Sequence, residues 1–253
     1  MAELSQTSWL LAALAALAVG MSKGGLGLVG AIAVPMMALG MSPVMAAGIM
    51  LPIFVVSDIG GLIAFRRSFN RAVLRTLLPG AVLGIALGWA TAHLVNDSAV
   101  MGIVGLIGLS FALNALIRRG TGPARAPDHL RGGFWGMMTG YTSFVSHSGA
   151  APYQVYAQPL QMTTTTYAGT TTVFFAIVNA IKLIPYAALG QLSMANLRVS
   201  AMLVPVAVLG VWLGLRLLRI IPQALFYRLI TWALLLLSVH LIWRAAAQLL
   251  AGH

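Results

Sequence analysis

Apolar runs long enough to cross a lipid bilayer follow one another along nearly the whole chain, and this constrains the fold more than any motif. The runs lie at 43–65, 73–93, 98–117, 166–190, 197–218 and 223–250. A spanning helix needs about 20 apolar residues. Only 8% of the 253 residues are charged and 60% are hydrophobic, whereas an ordinary soluble domain is roughly 25% charged. A soluble core of this size could not hide so much apolar surface, so lipid is the expected solvent. The expectation is an all-α integral membrane protein with no separate soluble domain.

The charge balance fits the same picture. The formal net charge is +11, from 15 Lys and Arg against 4 Asp and Glu. Most of the Arg residues sit in short loops between apolar runs, which is the positive-inside pattern and not a nucleic-acid footprint. The expected partners are therefore membrane lipid and a small substrate, with no nucleic acid. There is no cysteine, which excludes disulfides, thiol redox chemistry and Cys-ligated metals. No His/Asp/Glu spacing suggests a metal site. Gly25-Leu26-Gly27-Leu28-Val29-Gly30 fits the dinucleotide pattern GxGxxG, but it lacks the preceding strand and the acidic residue that pattern needs. No cofactor is expected. The run Trp9 to Gly20 is preceded by Glu3 and by no Lys or Arg. It lacks the basic n-region of a signal peptide and is read as part of the mature protein.

Two places break the pattern. Segments 8–20 and 28–40 are short and flank Met21-Ser22-Lys23-Gly24-Gly25-Leu26-Gly27. Segments 132–146 and 152–161 flank Ser146-His147-Ser148-Gly149-Ala150-Ala151-Pro152. Polar, Gly-rich backbone at membrane depth is tolerated only inside protein or along a cavity. The two breaks also match each other. Lys23 with Pro35 corresponds to His147 with Pro159, Ala47-Gly48 to Ala168-Gly169, and Asp58 to Asn179. Pro79-Gly80-Ala81-Val82-Leu83-Gly84 corresponds to Pro205-Val206-Ala207-Val208-Leu209-Gly210. The chain therefore reads as two repeats, 1–117 and 132–253, joined by a cytoplasmic linker at 118–131. Each repeat is a re-entrant helical hairpin (8–40 and 132–161) followed by three transmembrane helices. Arg66, Arg67, Arg71 and Arg75, then Arg118, Arg119, Arg125 and Arg131, then Arg216, Arg219 and Arg228 all reach one side of the membrane only if the repeats are inverted and the hairpins do not cross.

The hairpin tips carry the chemistry. Half-helices starting near Leu28 and Pro152 would aim free N–H groups at the loops before them, and helix N-termini favour anions. Lys23 would add a full charge, Gly24, Gly25 and Gly149 close backbone approach, and Ser22, Ser146 and Ser148 hydroxyl donors. Tips related by a two-fold axis would meet near the midplane. The plain alternative is tight helix packing at the glycines, with Lys23 snorkelling to an interface. Asp58 lies inside an apolar run, where ionisable residues are costly and mark function. It could pair with Lys23 or Lys182, carry a coupling proton, or serve a structural hydrogen bond to a neighbouring helix. Asn179 holds the matching place, with Lys182 three residues on. His147 could couple protons or act as a neutral donor. Thr170 to Thr172 could line a path or bond to their own backbone. Gln154, Tyr156 and Gln158 are candidate wall residues. Ser146 or Ser148 beside His147 is the one candidate pair for an intramembrane hydrolase, and adjacent loop residues seldom offer that geometry. No enzyme activity is expected.

Several stretches resemble the sulfite exporter TauE/SafE family of bacterial membrane transporters. They are Ser22-Lys23-Gly24-Gly25-Leu26-Gly27 with Pro35, Leu51-Pro52 to Asp58, Phe65-Arg66-Arg67 and Leu78-Pro79-Gly80. In the second half they are Gly140 to Phe144 with His147 and Gly149, Tyr167 to Thr171, Phe174 to Asn179 and Lys182 to Tyr186. Ser148 to Pro152 departs from the Gly-Gly-Pro-Pro form associated with members. The resemblance implies export of a sulfur-containing anion, sulfite or a small organosulfonate, across the bacterial cytoplasmic membrane. A passive anion channel, or transport of another small organic anion, is the alternative.

Overall fold

The computed structural model describes residues 5–251 apart from 28, 38, 42, 92–96 and 118–122; the side chains of 31, 32, 35, 43, 44, 97–100, 104, 146 and 249–251 also lie outside that description. The described residues form helices α1 (Gln6–Lys23), α2 (Ala33–Met37), α3 (Pro43–Phe65), α4 (Arg71–Thr91), α5 (Asp97–Ile117), α6 (His129–Ser146), α7 (Ala150–Ala157), α8 (Thr164–Ala188), α9 (Met194–Ile220) and α10 (Gln223–Ala251). Helices α1, α6 and α9 begin where the side chains of Ser5, Asp128 and Ser193 accept from backbone N–H groups three residues on, which satisfies donors the helix itself cannot. Helices α3, α4, α8, α9 and α10 are long and apolar enough to cross a membrane. They coincide with five of the six expected spans, and α5 occupies the sixth. Outward-facing Ile63, Leu83, Met202 and Leu236 are all exposed, a surface suited to lipid and not to water. This is a multi-pass membrane protein.

The hairpins differ from the two half-length arms expected. Their first arms, α1 and α6, have 18 residues each, about 27 Å of helix. Ser22 and Lys23 are polar but compatible with a helix, so α1 runs on to Lys23. The chain turns only at Gly24 and at Gly25, whose φ of 116° suits glycine alone. In the second hairpin His147, with φ 54°, caps α6 in the left-handed conformation. The return arms are short. A 3-10 turn at Val29–Ile32 leads into the five residues of α2, and α7 has 8 residues.

The described helices pack as two compact units, Met1–Asn70 with Thr164–Ile221, and Arg71–Thr163 with Pro222–His253. In unit 1, α1 runs parallel to α9, with Gly20 against Ala207 and Gly24 against Val211 and Gly214. Helix α3 lies antiparallel to α8: Gly48 faces the Gln191 carbonyl and Gly61 faces Thr172. In unit 2, α4 runs parallel to α6, with Gly80 on Gly133, Gly84 on Met137 and Gly140 on Ala81. Helix α5 lies antiparallel to α10, with Gly102 against Ala245 and Gly108 against Ser238. Small residues at these crossings let helix backbones touch, which is how helices associate where lipid supplies no hydrophobic drive.

Candidate functional site

Unit 1 buries a charged cluster at the end of α1. Lys23 is the last residue of that helix, where the negative end of the helix dipole favours a cation. Asp58 comes from α3, and Asn179 and Lys182 from α8. All four are buried, with relative exposures of 4%, 3%, 4% and 1%. Charges in such a place must be paired. Lys23 Nζ lies 2.7 Å from Asp58 Oδ1, and Asn179 Nδ2 donates to Asp58 Oδ2 at 2.8 Å. Both carboxylate oxygens are thereby engaged. The Lys23 carbonyl accepts from Thr172 Oγ1 at 3.4 Å. Lys182 sits one turn beyond Asn179, with its ammonium 5.7 Å from the Tyr186 ring centre, and interacts electrostatically with both Asp58 and Lys23. Ionised together, the two ammonium groups would share one carboxylate and leave one positive charge in excess.

Two aromatic rings complete the surroundings of Lys23. Its ammonium lies 5.2 Å from the Phe54 ring centre and 5.9 Å from that of Phe175, within range of cation–π attraction. Neither ring stands out in the sequence as a site residue. They were findable: Phe54 precedes Asp58 by four residues and Phe175 precedes Asn179 by four, so both occupy one position of the repeat on one helix face. Thr172 was also missed as a partner of Lys23. Thr170 and Thr171 donate to the Thr166 and Tyr167 carbonyls of their own helix.

The hairpin tips use their polar groups differently from the expectation. Leu28 lies outside the described residues; among those described the next α-helix begins at Ala33, and α2 is too short to aim a row of amides. Lys23 is held by a carboxylate, not by a helix N-terminus. Ser22 Oγ donates to the Gly27 carbonyl at 3.3 Å, inside the turn. Gly24 packs against α9, and a Cβ on Gly25 would run into Leu218. In unit 2, Ser148 is buried and its N–H donates to the Thr142 carbonyl at 3.1 Å. Gly149 precedes α7, where a Cβ would press on Ser143 and the Thr139 carbonyl. His147 is half-buried, and the Ser146 side chain lies outside the described residues. Lys23, Asp58, Asn179 and Lys182 are thus brought together in unit 1, while His147, Ser148 and Gly149 belong to unit 2.

A family model described as "Sulfite exporter TauE/SafE" matches residues 12–241. The chain belongs to the sulfite exporter TauE/SafE family. The match takes in the turns of both hairpins and every residue of the unit 1 cluster. No curated protein and no solved structure matches the chain. Membership in this family makes the protein a membrane transporter by family, in accord with the five described helices that are long and apolar enough to cross a membrane.

Proposed function

We propose that this TauE/SafE family member is a secondary transporter that exports a sulfur-containing anion, sulfite or a small organosulfonate, across the bacterial cytoplasmic membrane. The observation that carries the reading is the buried cluster of Lys23, Asp58, Asn179 and Lys182. A cation excess at membrane depth attracts an anion. Asp58 occupies the Lys23 ammonium. An entering anion competes for that ammonium, and a displaced Asp58 carboxylate is then the group to carry a coupling proton. Ser22, Gly24 and Gly25 shape the turn beside the cluster. Ser146, His147, Ser148 and Gly149 form the matching turn of unit 2, where His147 is a further candidate for proton coupling.

We further propose that the two halves are inverted repeats. Helices α3 and α8 are equivalent in the repeat and run antiparallel in unit 1; α5 and α10 do the same in unit 2. Asp58 and Asn179, at matching places, hydrogen-bond to each other. Two antiparallel copies of one helix meet through equivalent residues where a local two-fold axis passes. Gly48 packs on the Gln191 carbonyl just past α8, and Gly169 on the Ser68 carbonyl just past α3, which is the same relation read from either copy.

The test is flux of radiolabelled sulfite and small sulfonates into liposomes carrying the purified protein. Saturable flux is expected, lost in Lys23→Met. An imposed pH gradient should drive it in wild type and not in Asp58→Asn. Unsaturable, ohmic anion current would replace the transporter reading with a channel. No flux of any sulfur anion would remove the substrate assignment.

A further inference from the structure

Unit 2 contains a pocket that the transport reading does not use. It lies between the end of α5, the 3-10 turn after α7 and the first turns of α10, with a volume of about 870 Å³. Small-molecule sites commonly measure about 300–1,000 Å³. Its polar wall is Gln158, Gln161, Gln223, Tyr227, Arg228 and Thr231, and its apolar wall is Ala115, Leu116, Ala224 and Trp232.

The polar wall is rich in donors. Gln158 is 1% exposed and Gln154, one turn earlier, 3%. Gln158 Nε2 donates to Gln154 Oε1 at 3.3 Å, and Thr231 Oγ1 reaches Gln158 Oε1 at 3.3 Å. An amide nitrogen carries two N–H donors. Gln158 spends one of them on Gln154, and the second meets no acceptor among the described residues. Tyr227 Oη and Gln223 Nε2 both donate to the Met162 carbonyl, at 2.7 Å and 3.5 Å, which ties α10 to the backbone just past the 3-10 turn at Gln158–Leu160. Arg228 is the one fully charged side chain among the lining residues, and none of them is a carboxylate.

We propose that this pocket is a second ligand site, for a singly charged oxyanion that carries an apolar group. One guanidinium balances one negative charge. The second N–H of Gln158 suits an oxygen acceptor and would go unpaired against a cation. The Trp232, Leu116 and Ala115 side takes the apolar part. Two sources offer this chemistry: the phosphodiester head of an anionic phospholipid, and a soluble aromatic sulfonate.

Thermal unfolding of the purified full-length protein in neutral detergent tests the site, with phosphatidylglycerol and benzenesulfonate as the probes. At least one should raise the unfolding temperature saturably. Arg228→Gln, a change at an exposed side chain, should weaken that ligand about tenfold. Gln158→Leu, which keeps the volume and removes the donors, should weaken it as well. A shift with phosphatidylglycerol alone identifies a lipid site, and a shift with benzenesulfonate alone identifies a soluble-anion site. Failure of both probes to shift wild type, or equal binding by Arg228→Gln and wild type, overturns the proposal.

Discussion

Asp58 decides how the charges of unit 1 coexist. Its two oxygens serve Lys23 and Asn179, and its charge is the one that offsets Lys182. Removing one member of a buried ion pair is far more damaging than replacing both, because it strands a desolvated charge; the loss is about 3–5 kcal/mol. Asp58→Leu should therefore unfold at markedly lower temperature than wild type, since it leaves Lys23 and Lys182 facing each other. Adding Lys23→Met to it should recover part of that loss. A double-mutant cycle on unfolding in detergent measures the coupling, and strictly additive losses would show that the two groups do not interact. Much of this cluster was legible in the chain. An acid within an apolar run, a lysine at a helical break and matched places for Asp58 and Asn179 single out its members. That Asp58 and Asn179 touch was not legible, because a repeat offset states equivalence and says nothing of adjacency.

At the scale of elements, the helix contacts rest on where a Cβ is forbidden. Glycines at 132, 136 and 140 in α6 and at 80, 84 and 88 in α4 recur every fourth residue, so their faces can be read from sequence. Which helix meets which face cannot, since any such stripe fits any other. The structure separates neighbours that sequence leaves alike. A Cβ on Gly136 would run into the Leu77 carbonyl, whereas one on Gly133 meets nothing within 4 Å. Gly136→Ala should then cost about 1–3 kcal/mol by overpacking. Gly133→Ala should stay within about 1 kcal/mol of wild type, because alanine also favours the helix. Unfolding temperatures of the two variants check this, and equal behaviour would mean that α4 and α6 do not approach so closely. The hairpin arms illustrate the opposite limit. Their lengths were misjudged because a polar residue interrupts hydropathy without interrupting a helix: Lys23 looks like a break and is the last residue of α1.

At the scale of the whole molecule, the direction in which each segment crosses the membrane distinguishes the inverted repeat from a simple succession of spans. If neither hairpin crosses, α3 and α8 enter from opposite sides, which agrees with their antiparallel packing. If each hairpin crossed once, equivalent spans would run in the same direction, and α3 and α8 could not lie antiparallel as neighbouring spans. The arginines agree with the first arrangement, which keeps Arg216, Arg219 and Arg228 on the side of Arg66 and Arg67. The two arrangements differ sharply at two loops. The inverted repeat places Pro222 in the cytoplasm and Ala195 outside; the alternative exchanges them. The chain has no cysteine, so single replacements can be labelled without background. Both Pro222 and Ala195 are exposed. In intact cells an impermeant thiol reagent should modify Ala195→Cys and spare Pro222→Cys until the membrane is opened, with Ser68→Cys behaving as Pro222→Cys does. The reverse pattern would make each hairpin a crossing segment, remove the two-fold relation between the halves and contradict the antiparallel packing of α3 on α8.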